Sequence, residues 1–202
     1  MKKIIYTQRV EVIESYQERR DCADQRIAEF IDACGYLPIP VPNNKKLAEI
    51  LIEEIHPDGI ILTGGNSLVR YGGNAPERDA MDAELIRIAI ERNIPVYGFC
   101  RGMQSILDYF GNELVNVSGH VAVRHLLLDE QGNEIYEVNS YHNQACMSLK
   151  TESGLRVIAQ TADGVIEEIC HEIYPIQATM WHPEREDIYD VKDINRMQRL
   201  FG

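Results

Sequence analysis

Short apolar segments alternate with longer amphipathic segments through the first half of the chain, and this alternation constrains the fold more than any other feature. The apolar segments cover residues 4–6, 37–41, 59–62 and 95–99, which are lengths typical of buried strands. Between them, apolar residues recur at the intervals of three and four that are typical of helices. Strands separated by helices form a parallel sheet with helices on its faces. The sequence therefore predicts an α/β fold.

The second half of the chain has a different pattern, because polar turns separate pairs of apolar segments. We expect antiparallel strands to be added to the parallel core, with hairpins and a last strand at residues 121–128 with 134–138, 155–160 with 165–170, and 176–180. Helices are expected at residues 20–34, 45–55, 79–91, 101–110 and 191–201. No Pro-, Gly- or Ser-rich linker divides the chain, so we expect one domain over residues 1–202.

The charge balance excludes several classes of partner. The chain has 20 Lys and Arg residues against 32 Asp and Glu residues, which gives a net charge of −12. A field of this sign repels nucleic-acid phosphates and anionic lipid headgroups, so we expect neither nucleic acid nor a membrane as a partner. No apolar run reaches the roughly 20 residues that span a bilayer, and the first residues turn polar too early for a signal peptide. We expect a cytoplasmic protein.

The cysteines do not form a disulfide framework. They are odd in number and widely separated, and none belongs to a Cys-x-x-Cys pair; they lie at Cys22, Cys34, Cys100, Cys146 and Cys170. This pattern predicts free thiols and no thiolate metal site.

One cysteine has neighbours that indicate chemistry. Cys100 directly follows a predicted strand, and a predicted helix begins behind it. Gly98 and Gly102 lie two residues to either side, and they remove side chains that would crowd a sharp turn. A nucleophile at the apex of a strand–turn–helix is the arrangement of a nucleophile elbow, here with Cys in place of Ser. Because a helix N-terminus favours the thiolate form, Cys100 is the predicted nucleophile.

A candidate base and its orienting acid lie in the segment Trp181-His182-Pro183-Glu184. In an extended segment, residues two apart project to the same side, so the Glu184 carboxylate can reach the imidazole ring of His182. A nucleophile, a base and a third group that fixes the base are the general requirement for nucleophilic catalysis. Alone, a His-Pro-Glu segment would be read as a surface turn. Together with the elbow, it predicts a Cys-His-Glu triad.

The elbow, the Gly64-Gly65 turn and the segment that holds His182 together resemble the class I glutamine amidotransferases, over nearly the whole chain. The resemblance implies a flavodoxin-like α/β fold. It implies that Cys100 attacks a γ-glutamyl amide, and that water hydrolyses the resulting thioester to release glutamate. No cofactor is implied.

The same resemblance assigns residues to the reacting group. It implies that the backbone N–H groups of Gly65 and Arg101 form the oxyanion hole, where a glycine lets the main chain approach a developing negative charge. It also implies that Gln104 contacts the main-chain part of the glutamyl group. A solvated helix residue is the alternative for Gln104.

Other segments are similar to a subgroup, the free-standing γ-glutamyl hydrolases that cleave γ-glutamyl-γ-aminobutyrate. Residues 138–144 and 162–167 carry this similarity, together with the arginine after the nucleophile. It implies that Ser140 and His142 line the glutamyl pocket. The loop at residues 66–78 is shorter and less acidic than in those enzymes, so the leaving group stays open.

The N-terminal segments 7–10 and 18–26 are similar to a second subgroup, which releases cytidine diphosphoramidate from γ-glutamyl-CDP-amidate for capsular polysaccharide modification. A diphosphate that approaches an acidic protein needs local cations. The candidate contacts are the arginines near the end of the first strand, Arg9, Arg19, Arg20 and Arg26. The alternative is a solvated helix face.

Three other functions compete with this one. A glutaminase subunit that passes ammonia to a synthase partner stays open as a function. Assembly of the chain into a homodimer also stays open. A non-catalytic binding module is disfavoured because all three triad positions are filled. A metal site is not predicted, because i, i+4 and His-x-His spacings are absent among His120, His125, His142, His171 and His182.

Overall fold

A nine-stranded sheet runs through the molecule, and its strands change from parallel to antiparallel part-way across. The chain is described from residue 1 to residue 202 by a computed structural model. Its strands are β1 (Lys3–Tyr6), β2 (Arg9–Ile13), β3 (Glu18–Cys22), β4 (Leu37–Pro40), β5 (Gly59–Leu62), β6 (Val96–Phe99), β7 (Val115–Asn116), β8 (Val121–Leu128), β9 (Glu134–Tyr141), β10 (Gln144–Ala145), β11 (Leu155–Gln160), β12 (Ile166–His171) and β13 (Ile176–Thr179). The helices are α1 (Gln25–Ala33), α2 (Lys45–Ile55), α3 (Pro76–Arg92), α4 (Arg101–Tyr109) and α5 (Val191–Phe201).

The order of strands across the sheet is β4-β1-β5-β6-β13-β12-β11-β8-β9. The first five are mutually parallel, whereas β13 pairs antiparallel with β12 and the remaining strands continue as antiparallel neighbours. The predicted parallel core with added antiparallel strands is therefore confirmed. The last strand, β13, joins the two halves because it lies between β6 and β12.

The parallel strands other than the edge strand β4 are buried on both faces, as their continuous apolar sequences predict. On one face they pack against α2, α3 and α4, with Ile52, Met81 and Ile106 in the core. On the other face they pack against α1 and α5, with Phe30 and Phe201 in the core. Neighbouring strand residues alternate between the two cores. This arrangement places every carboxyl end of the parallel strands at one edge of the sheet, where ligands bind in open α/β folds.

The first predicted helix begins later than expected. Residues 20–24 are not helical, because Glu18–Cys22 pairs antiparallel with Arg9–Ile13 in a small separate hairpin. The helix starts only after Asp24, whose side chain accepts a hydrogen bond from the Arg26 backbone N–H. A capping aspartate of this kind satisfies an N–H group that has no partner within the helix. The apolar spacing of a helix thus holds from Ile27 onward, and not in the arginine-rich segment before it.

The other predicted elements agree with the structure to within a few residues. Helix α3 starts at Pro76 rather than at residue 79, since proline suits the first turn of a helix. β9 continues beyond the predicted end at residue 138 as far as Tyr141. None of the helices combines the length and the apolar character that a membrane span requires.

Candidate active site

The predicted elbow is formed at the junction of β6 and α4. Cys100 has φ 51° and ψ −110°, an uncommon conformation for a residue other than glycine. A Cβ atom on Gly102 would lie 1.9 Å from the backbone oxygen of Leu62, and one on Gly98 would lie 2.8 Å from the backbone of Gly102. Helix α4 can therefore approach strands β5 and β6 only because both positions are glycine. The close approach holds Cys100 at the carboxyl edge of the sheet.

All five cysteines are free thiols, as predicted. Burial raises the pKa of the Cys34 thiol to about 12, and it also raises the pKa of Cys146. Cys100 differs from these two because it lines an open cleft at a helix N-terminus.

His182 and Glu184 follow β13, the strand beside β6, and they lie next to the elbow. The two side chains are nearly fully buried, and 2.7 Å separates His182 Nδ1 from Glu184 Oε1. Burial by itself lowers the pKa of His182, but the negative charges of Cys100 and Glu184 outweigh burial and raise it to about 9. The ring is thus held in the protonated form at neutral pH. A histidine between a thiol and a carboxylate can move protons to and from the sulfur.

Sequence reasoning did not identify the residue that holds His182 in place. Asn139, at the end of β9, accepts a hydrogen bond from the His182 backbone N–H at 2.9 Å and donates one to the His182 carbonyl at 2.8 Å. The same amide donates to Glu186. Asn139 lies in a segment that the sequence singles out, but a contact between residues 43 positions apart has no local signal. The antiparallel half of the sheet therefore positions a residue of the parallel half.

The Gly64-Gly65 turn follows β5 and faces the elbow. Gly65 has φ +101°, and a Cβ atom there would lie 2.8 Å from Arg9. A second residue that was not predicted, Arg78, is fully buried beneath this turn and donates hydrogen bonds to the carbonyl oxygens of Thr63 at 2.7 Å and Gly64 at 2.8 Å. Burial, followed by the charge of Arg101, lowers the pKa of Arg78 to about 9. Arg78 fixes the orientation of the turn by binding its carbonyl groups.

The backbone and the side chain of Arg101 face different parts of the protein. Its backbone N–H belongs to the first residue of α4, where a helix leaves N–H groups without intrahelical partners. Its guanidinium is buried and binds Asp79, Asp82 and Ser105 in the protein interior. Only the backbone of Arg101 is therefore placed to act on a substrate.

A cleft of about 310 Å³ lies between the elbow and the hairpin β8–β9. All the candidate residues for the reacting group line this cleft except Glu184 and Ser140. The lining consists of Gly65, Asn66, Ser67, Cys100, Arg101, Gln104, Tyr141, His142, Asn143, Gln144, His182 and Arg185. Glu184 contributes to an adjoining groove. Ser140 lines neither, because its buried hydroxyl donates to the His120 carbonyl at 2.7 Å. The structure thus places His142 in the cleft wall and Ser140 behind it.

Gln104 reaches the cleft from the first turn of α4. Its Nε2 donates to the Gln144 carbonyl at 2.9 Å, which ties the helix to the loop after β9. Only 5% of Gln104 is exposed, so the alternative of a solvated helix residue is wrong.

The four candidate arginines do not form one patch. Arg9 lines the adjoining groove, together with Gly65 and Arg185, and its guanidinium binds Glu11 at 2.9 Å. Arg19 binds Glu77 in the first turn of α3, and Arg20 binds Glu18 within β3, so neither lines the cleft or the groove. Arg26 donates to the Arg185 carbonyl at 3.0 Å and so supports the wall of the cleft. Arg185, which sequence reasoning did not single out, is the arginine that lines both the cleft and the groove.

Three of the histidines lie together, contrary to the expectation from their spacing, because spacing along one segment does not describe neighbours on paired strands. Ligand atoms of His120, His125, His142 and Glu167 all lie within 4.8 Å of one another. The first three come from the hairpin β8–β9 and its ends, and Glu167 comes from β12. His171 and His182 lie elsewhere.

Comparisons with known proteins agree with this architecture. The Peptidase C26 family model matches residues 4–184. The chain is 29% identical over 188 residues to the gamma-glutamyl-CDP-amidate hydrolase of Campylobacter jejuni, with 90% of this chain and 89% of the relative covered. It is 32% identical over 190 residues to the gamma-glutamyl-gamma-aminobutyrate hydrolase of Escherichia coli O157:H7, with 74% and 73% covered.

Solved structures show the same fold. A Thermoplasma acidophilum protein assigned as a GMP synthase subunit superposes with a TM-score of 0.71 at 20% identity, covering 100% of this chain and 94% of that protein. A glutamine amidotransferase from Thermotoga maritima gives a TM-score of 0.65 at 12% identity, covering 91% and 76%. The sheet and the elbow thus define a glutamine amidotransferase-like protein. The chain belongs to the peptidase C26 family, and it is a hydrolase of the γ-glutamyl hydrolase type.

Proposed function

We propose that the chain is a cysteine-dependent γ-glutamyl hydrolase with Cys100, His182 and Glu184 as its triad. The observation that carries this proposal is that Cys100 and His182 line one cleft, with Glu184 2.7 Å behind the imidazole ring. The Cys100 sulfur bonds to the γ-carbonyl carbon of the substrate. The amide C–N bond then breaks as protonated His182 gives its proton to the leaving nitrogen.

Water completes the reaction in the second half. His182, now neutral, takes a proton from a water molecule that attacks the thioester carbonyl. The C–S bond breaks, glutamate leaves, and the Cys100 thiolate is restored beside protonated His182. Glu184 keeps the ring oriented and stabilises its positive charge in both halves.

The oxyanion that forms in each half needs donors that are already in place. We assign this role to the backbone N–H groups of Gly65 and Arg101, residues that line the same cleft as Cys100. Arg78 supports one side by binding the Gly64 carbonyl, and α4 supplies the other. Gln104 and His142 are the candidate contacts for the glutamyl group in the cleft.

The leaving group is assigned from the groove that adjoins the cleft. Arg9 and Arg185 are the cations that line this groove, and His182 and Gly65 form its border with the cleft. A γ-glutamyl group bound at Cys100 can extend an anionic leaving group past His182 toward these arginines. We therefore assign γ-glutamyl-CDP-amidate as the substrate, which also agrees with the similarity to the C. jejuni hydrolase over 90% of the chain.

The relative values of kcat/KM on three substrates test this proposal. Purified protein is given γ-glutamyl-CDP-amidate, γ-glutamyl-γ-aminobutyrate and glutamine, and glutamate release is measured. We expect the nucleotide substrate to be preferred by about tenfold or more, the effect of one charge-assisted contact. A preference for γ-glutamyl-γ-aminobutyrate would instead assign the alternative hydrolase. Equal, slow turnover of all three substrates would point to a glutaminase subunit that needs a synthase partner. No turnover of any of the three by protein with an intact Cys100 would contradict hydrolysis.

A further inference from the structure

Four titratable side chains meet on the antiparallel half of the sheet, and one buried polar atom of each has no hydrogen-bond partner. His120 and His142 are at most 3% exposed, and Glu167 is fully buried. His120 Nδ1, His125 Nε2, His142 Nδ1 and Glu167 Oε2 are all buried and lack any hydrogen-bond partner. Buried polar atoms are nearly always satisfied, and an unsatisfied group of them is explained by an ion or a water molecule. Each of the four residues has one ligand atom that lies within 4.8 Å of a ligand atom of each of the others, and His142 Nε2 already contacts Glu167 Oε1 at 3.2 Å.

A bulge in β8 brings the histidines to the same side. His120 and His125 are an odd number of residues apart, so a regular strand would place them on opposite faces. The register shifts between Val121 and Val123, where Ala122 has φ +55°. An inserted residue of this kind re-aims the side chains of a strand. The two imidazole rings consequently lie 4.2 Å apart, and the ring of His142 lies 5.0 Å from that of His120.

One histidine already has the outer contact that metal ligands use. His120 Nε2 is 2.9 Å from Asp163 Oδ2, which leaves Nδ1 facing the cluster at 3.6 Å from Glu167 Oε1. A histidine that binds a metal through one nitrogen commonly donates its other N–H to a carboxylate, which fixes the ring and the tautomer.

We propose that His120, His125, His142 and Glu167 bind one zinc-type divalent ion. Three imidazoles and one carboxylate are donors that suit zinc, whereas magnesium and calcium prefer oxygen ligands only. Ligand atoms around a tetrahedral zinc ion lie about 3.3 Å apart, so side-chain movements of about 1 Å close the site. Four protein ligands leave no open position, which makes the site structural. The ion joins the hairpin β8–β9 to β12 and holds His142 in the wall of the cleft.

Zinc titration of chelator-treated protein by calorimetry tests the site. The Cys100→Ser variant is used beside the natural chain, because a thiolate and His182 could bind zinc on their own. We expect one equivalent in both proteins, a Kd below about 1 μM, and a Tm that rises by several degrees at about a hundredfold excess over Kd. Absence of binding in the Cys100→Ser protein would overturn the proposal.

Two variants and one control locate the ion. His125→Ala and Glu167→Gln should each weaken zinc binding by about tenfold or more, as loss of a ligand removes a metal bond. His56→Asn, at an exposed histidine outside the cluster, should bind like the natural chain. Unchanged affinity in His125→Ala, or equal loss in His56→Asn, would contradict the site.

Cobalt(II) provides a readout that does not depend on how the His125→Ala and Glu167→Gln variants fold. A cobalt ion bound by imidazole and carboxylate in Cys100→Ser protein should give visible absorption of the four-coordinate type without thiolate charge-transfer bands. Histidine ring NMR signals of the same protein should change for His120, His125 and His142 when zinc is added. Histidine changes restricted to His182, or thiolate bands in the natural chain with no four-coordinate absorption in the Cys100→Ser protein, would place the ion at the triad and overturn the proposal.

Discussion

At the scale of single residues, the chemistry depends on the difference between Cys100 and the other cysteines. Cys100 faces the cleft, whereas burial raises the pKa of Cys34 and Cys146 and keeps these thiols neutral. We predict that 6-diazo-5-oxonorleucine adds once, at Cys100, and that peptide mapping by mass spectrometry finds the adduct there. Cys146→Ala is the matched control and should be labelled at the same rate. An adduct on any other cysteine would contradict the assignment of the nucleophile.

His182 and Glu184 should lose activity to different extents. The His182→Ala variant removes the group that transfers every proton, so we expect turnover to fall to background. Glu184→Gln removes only the charge behind the ring and should retain measurable kcat. Equal losses in the two variants would contradict this hierarchy.

The same pair predicts the alkaline limit of activity. Catalysis needs protonated His182 as the acid, and its pKa is raised to about 9 because Cys100 and Glu184 outweigh the effect of burial. We expect kcat/KM to fall as the pH rises through about 9. In Glu184→Gln the descending limb should move to lower pH, because one of the negative charges that raise the pKa of His182 is gone. The raised pKa also stabilises the folded state below about pH 6.5, and this contribution is lost as the pH rises through about 9. A limb that does not move would show that Glu184 does not act on the ring.

At the scale of elements, the elbow depends on the contact between α4 and β5. Gly102→Ala would place a Cβ atom 1.9 Å from the Leu62 oxygen, and a backbone atom cannot rotate away as a flexible side chain can. We predict a loss of about 1–3 kcal/mol in the free energy of unfolding, measured by urea denaturation, together with lower activity. The control is Asp108→Ala in the same helix, which removes only an exposed ion pair with Arg70 and should cost less than about 1 kcal/mol. A Gly102→Ala protein as stable as the control would refute the close approach.

The same elements show how far the sequence is predictive. Apolar spacing and the Gly-x-Cys-x-Gly turn were sufficient for the parallel strands and for the position of Cys100 at a strand–helix turn, because these are local patterns. Arg78 and Asn139 were not predicted, since each binds backbone groups of a segment that folding alone brings close. The histidine cluster was missed for the same reason, as its members come from different strands and from a bulge. The segment at 20–24 was assigned to a helix because its pairing with β2 leaves no periodic signal.

At the scale of the whole molecule, a net charge of −12 opposes binding of an anionic leaving group, so the local cations decide specificity. Of the four arginines that the sequence suggested, only Arg9 lines the groove beside the cleft. Its side chain is 43% exposed and already binds Glu11, so solvent and salt screen its contribution. We predict that Arg9→Ala raises KM for γ-glutamyl-CDP-amidate about fivefold, equivalent to about 1 kcal/mol, and leaves KM for glutamine unchanged. The effect should shrink in high salt.

Arg20→Ala is the matched control, because Arg20 binds Glu18 outside the groove and should change neither value. Equal increases for both substrates in Arg9→Ala would mean that Arg9 supports the Gly65 turn, beside which its side chain lies, instead of binding the leaving group.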